Sequence, residues 1–157
     1  MDLSKLSTAD KILLGAGLLF FIVTFLPWQS ACPDFGFEVA GVKCDFSAWG
    51  GSGGFLGVLA ALLSLALVVW IGMQVAGVNL NLNIPSATVA AALAGGTVLF
   101  GLIKFLVAVT NSPAWGAFVG LVLLLAIAYG GYMKWQESKL ALPPTATQPP
   151  PGPPPVG

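Results

Sequence analysis

Histidine and arginine are missing from this 157-residue sequence, and charge of either sign is scarce: six lysines balance six carboxylates, for a formal net charge of zero. Each absence removes a class of function. Without histidine there is no His-ligated haem, no zinc site of the usual histidine type and no Ser-His-Asp triad. Without a basic groove nothing neutralises a phosphate backbone, so nucleic acid is not an expected partner. Cysteine is limited to Cys32 and Cys44, a wider spacing than the C-x-x-C of most redox sites. No cofactor, metal site or catalytic residue is expected.

Apolar residues fill the space that charge leaves. Hydrophobic residues make up 57% of the chain, charged residues 8%, and the mean hydropathy is +0.91, far from the composition of soluble domains. The expected solvent is lipid. Four segments qualify as spans by length and lack of charge, at about residues 12–28, 55–78, 87–109 and 114–133, because about 20 apolar residues in a helix cross a hydrocarbon core of about 30 Å. They lack the ten-residue alternation of a membrane barrel, and backbone amides in lipid must be satisfied within the segment. The expected fold is an all-α membrane protein: a four-helix transmembrane bundle over residues 1–139 with a small extracytoplasmic β-hairpin-like loop. A proline-rich tail, 140–157, is expected to be disordered in the cytoplasm.

Lysines set the orientation. Lys5 and Lys11 precede the first span, Lys134 and Lys139 follow the fourth, and the loop 29–54 holds only Lys43. That bias predicts both termini in the cytoplasm and the loop outside the cell membrane. Trp28, Trp49 and Trp115 then fall toward the outer headgroups, and Trp70 and Trp135 toward the inner ones, as interface anchors. Ser7 with Asp10 three residues later matches a capping box, which predicts a helix starting near Thr8. A competing reading treats residues 1–31 as a lipoprotein-like signal cleaved before Cys32; Gln29 and the Pro27-Trp28 pair depart from that pattern.

The loop contains CPDFGFEVAGVKC. In an oxidising compartment Cys32 and Cys44 are expected to pair as a disulfide staple. Alternation of Phe35, Phe37, Val39, Val42, Cys44 and Phe46 with Gly36, Glu38, Lys43 and Asp45 predicts a hairpin turning at Ala40-Gly41, with Glu38 opposite Lys43. In that register the disulfide closes only if the chain doubles back at Pro33-Asp34. The following AWGGSGG reads as a flexible lead into the second helix.

Lys104 is the one full charge inside a predicted span, and an intramembrane charge is a functional candidate by default. It lies about 9 Å from the outer end of its helix by helical rise, so snorkelling or contact with Asp34, Glu38 or Asp45 competes with an ion or lipid pathway. Small residues recur at helical spacing: Gly53 and Gly57, Gly95 and Gly96 with the alanines around them, and Gly116 and Gly120. Such faces let helix backbones approach closely, within the bundle or in a homo-oligomer. Thr24, Ser64, Gln74 and Thr97 are expected to back-bond or bridge helices.

The opening LSTADKILLGAGLLFFIVTFLPWQS, with its Phe-Leu-Pro-Trp exit, and the Lys134 to Glu137 end together resemble a group of small actinobacterial four-span membrane proteins. The likeness covers residues 3 to about 139. It implies the four-span fold and carries over no activity, cofactor or catalytic residue. Among function classes, a four-span proton-coupled exporter would need a mid-membrane acid, and a quinone-coupled thiol oxidoreductase would need two cysteine pairs. The expectation is a non-enzymatic scaffold or accessory subunit in the lipid bilayer, with a membrane-protein partner and, for the P-x-x-P tail, a cytoplasmic one. A small transporter or channel subunit using Lys104 is the alternative.

Overall fold

The computed structural model describes residues 6–30, 45–78 and 83–140. The disulfide pair Cys32 and Cys44, the turn at Ala40-Gly41, the Glu38 and Lys43 pair and the proline tail lie outside the described residues. Four helices and one short strand pair make up the rest: α1 (Thr8–Val23), β1 (Pro27–Ser30), β2 (Asp45–Ser47), α2 (Gly54–Val75), α3 (Ser86–Thr110) and α4 (Trp115–Leu140). The helices pack in a ring, α1 against α2 and α4, and α3 against α2 and α4. The strand pair closes one end, where β1 lies against α3 and α4.

Helices α2, α3 and α4 are long and apolar enough to cross a membrane. Helix α1 has only 16 residues, about 24 Å by helical rise. It starts at Thr8 through the reciprocal cap: the Asp10 amide donates to Ser7 Oγ at 3.2 Å, and the Ser7 amide donates to Asp10 Oδ2 at 3.3 Å. It stops at Val23 rather than near Trp28, because Pro27 follows. A proline has no amide to give and its ring crowds the carbonyl four residues back, which here is Val23. That carbonyl instead accepts the Leu26 amide (3.0 Å) and the Trp28 indole N–H (2.9 Å).

The released chain becomes β1, antiparallel to β2 in the register Pro27 to Ser47, Gln29 to Phe46 and Ser30 to Asp45. A bulge falls between Pro27 and Gln29. It breaks the alternation of faces, so the consecutive side chains of Trp28 and Gln29 are both buried. Helical periodicity over FIVTFLPWQS hides this strand in the sequence. The ladder sets Ser30 opposite Asp45, the described residues that flank segment 31–44.

The exterior is more apolar than that of a water-soluble bundle, and several polar groups join the apolar core. Asp10, Thr24, Gln29, Ser64, Thr97, Lys104 and Lys134 are buried, whereas Leu19, Ile22, Leu62, Val69, Leu99, Leu106, Val122 and Leu125 face outward. An apolar rim around a partly polar interior is stable where the surroundings are as apolar as leucine. Ser64 spends its hydroxyl between helices, donating to the Gly17 carbonyl at 2.6 Å, and Thr97 back-bonds to Leu93 at 2.9 Å.

Candidate functional site

Two buried polar centres mark the two ends of the bundle. At the strand-capped end, Lys104 on α3 is fully buried. Its ammonium donates to the carbonyl oxygens of Gly50 (3.0 Å) and Ser52 (2.7 Å), and the Gln29 amide donates to the same Ser52 carbonyl at 3.2 Å. The turn 48–54 is therefore an anchored element, not the flexible lead its glycines suggest. Gly51 and Gly53 adopt φ of +68° and +72°, which a side chain at either position would strain. Among the described residues Lys104 meets no acid. It crosslinks α3 to the turn, and the burial cost of a cation is met by carbonyl dipoles.

Aromatic rings brace the same end. The Trp28 ring is fully buried, edge-on to Phe20 with centroids 6.0 Å apart. Trp49 stacks on Phe25 at 5.3 Å, and its indole N–H donates to Thr24 Oγ1 at 2.9 Å. Trp28, expected at the headgroup level, thus presents no ring to lipid; the bulge turns it inward. Trp115, by contrast, is exposed. Toward the other end the Trp70 indole donates to the Ser86 carbonyl at 3.2 Å, and Lys139 sits 4.5 Å over the Trp135 ring.

The small residues have a different use from the one their spacing suggests. A Cβ at Gly57 would strike the Ala48 carbonyl, and one at Gly116 the Pro27 carbonyl. A Cβ at Gly120 would come within 2.5 Å of the Trp28 ring. These three glycines make room for the cap rather than for another helix. Gly53 is the N-cap of α2, beside Val107. Gly96 does meet a neighbouring helix, at Leu63, whereas nothing lies within 4 Å of a Cβ at Gly95.

The opposite end holds a centre that sequence reasoning missed. Lys134 of α4 is 6% exposed; its ammonium lies 2.6 Å from Asp10 Oδ1 of α1 and 3.0 Å from Glu137 Oε2. Read in sequence, Lys134 is a flanking charge and Asp10 a helix cap. The available signal was antiparallel topology, which sets the first turn of α1 beside the last turns of α4.

Between α3 and α4, near this second end, runs an apolar groove of about 430 Å³. It is lined by Thr88, three alanines, Gly95 and Val98 of α3 with Ala128, Gly131, Tyr132 and Trp135 of α4. No group of three or more His, Cys, Asp or Glu side chains that could hold a metal occurs among the described residues.

The fold and these centres define a helical bundle with three helices able to cross a membrane, latched at one end by a buried lysine and at the other by an ion-paired one. No protein family, no curated protein and no solved structure matches the chain.

Proposed function

We propose that the chain is a small multi-pass protein of the cell membrane that works as a non-enzymatic scaffold or accessory subunit of a membrane complex. The observation that carries this reading is the internal use of each buried ionisable side chain among the described residues. Lys104 holds a turn, Asp10 and Lys134 hold each other, and the open groove is lined by apolar side chains. Catalysis and ion transport need polar groups aimed at a substrate or a pathway, and here such groups are spent on tying elements together.

In this reading α1 is the fourth span. Its outward residues Leu18, Leu19 and Ile22 are apolar and exposed, and a helix shorter than the hydrocarbon is accommodated by local thinning of the bilayer. Both termini lie in the cytoplasm by lysine bias, with segment 31–44 outside and closed by a Cys32 to Cys44 disulfide. The pairing of Ser30 with Asp45 supports that bridge, because it brings the ends of the segment together. The likeness to actinobacterial four-span proteins is part of the same proposal.

Transport through Lys104 fares worse, since its side chain is fully buried against the 48–54 turn. Purification of the tagged chain from its native host in mild detergent tests the two readings. A stoichiometric complex is the expected result. An isolated monomer that drives ion or proton flux in liposomes, with flux lost in both Lys104→Ala and Lys104→Gln, would replace the accessory role with transport.

A further inference from the structure

We propose that the groove between α3 and α4 is a specific site for one acyl chain of an anionic phospholipid, whose phosphate is held by Lys139. The groove runs from Thr88 near the start of α3 to Val98, ten residues and so about 15 Å of helical rise. That is about half of a 30 Å hydrocarbon core, the depth of one leaflet. Its floor is smooth because of Gly95, beside which a Cβ would meet nothing within 4 Å.

Charge selects the headgroup. Trp135 lines the groove, and the Lys139 ammonium rests 4.5 Å above its ring, so a cation stands at the groove mouth. Among the described residues the carboxylates at this end, Asp10 and Glu137, are both engaged by Lys134, and Lys139 is placed to meet an external anion. Tyr132 also lines the groove near the mouth, its hydroxyl accepting from the Gln136 amide at 2.8 Å. An aromatic pair with a lysine at one end of an apolar slot fits a lipid that has a buried tail and an interfacial phosphate. A second copy of the chain would meet this same cation with no carboxylate of its own left unpaired at that level among the described residues.

The inference requires α3 and α4 to lie in lipid and does not depend on the accessory role. The test is native mass spectrometry of the full chain, released from nanodiscs of phosphatidylglycerol and phosphatidylcholine in equal amounts. One retained phosphatidylglycerol per chain is expected. Gly95→Leu, whose Cβ would meet nothing within 4 Å, should abolish retention of either lipid, while Lys139→Gln should lower the preference for phosphatidylglycerol about fivefold. Retention unchanged in Gly95→Leu, equal retention of the two lipids by the wild-type chain, or a dimer that carries no lipid would each overturn the proposal. A chain that does not enter nanodiscs at all would instead refute the membrane placement beneath it.

Discussion

At Lys104 a full positive charge is buried against two neutral carbonyls, and its worth lies in what it holds. Lys104→Met keeps the volume and removes both bonds; Ser52 retains the Gln29 amide, but Gly50 loses the side-chain donor it had. The expected cost is about 1–3 kcal/mol, read as a lower thermal midpoint in detergent and faster proteolysis at 48–54. A midpoint at or above that of the wild type would mean that the carbonyls do not depend on the ammonium. At the other end, Lys134→Met strands Asp10 in a buried site, for a loss of about 3–5 kcal/mol. Adding Asp10→Asn should recover part of that loss, because the orphaned charge goes with it. A double variant as unstable as the sum of the singles would show the two side chains to be uncoupled.

Elements here are joined by close approaches that spacing alone does not assign. Gly120 sits under the Trp28 ring and Gly57 against Ala48, whereas Gly95 faces open space. Alanine should therefore act oppositely at these positions. Gly120→Ala forces the Trp28 ring or α4 to move and should destabilise by about 1–3 kcal/mol. Gly95→Ala should stabilise by about 0.5–1 kcal/mol, the ordinary helix preference of alanine over glycine. Thermal unfolding of the two variants side by side decides it, and equal shifts would contradict the assigned contacts. The boundary of α1 belongs to this scale as well. The sequence shows a helix start at Ser7 and Asp10, since a cap is local; the end at Val23 emerges from Pro27 acting four residues upstream.

For the molecule as a whole, the strand pair is the link between the bundle and segment 31–44. With Ser30 opposite Asp45, the cysteines stand two residues and one residue beyond the ladder. A closed loop of that length should add about 3 kcal/mol in the chain-entropy model. Non-reduced and reduced samples should differ in intact mass by the thiol hydrogens, and reduction should lower the thermal midpoint. On intact cells, an impermeant thiol reagent should label both cysteines only after reduction; labelling without reduction would show free thiols, and none after it would place the segment inside.

Three helices apolar enough to cross a membrane, and the start of α1, were legible in the residues themselves, because hydropathy, periodicity and capping act over a few positions. Partners were not. Lys104 finds Gly50 across 54 residues, Asp10 on the first helix finds Lys134 on the last, and Gly57, Gly116 and Gly120 accommodate a cap that only the fold brings to them. A side chain's type limits what it can do in lipid, but a buried charge or a missing Cβ takes its role from whichever backbone the tertiary structure sets against it.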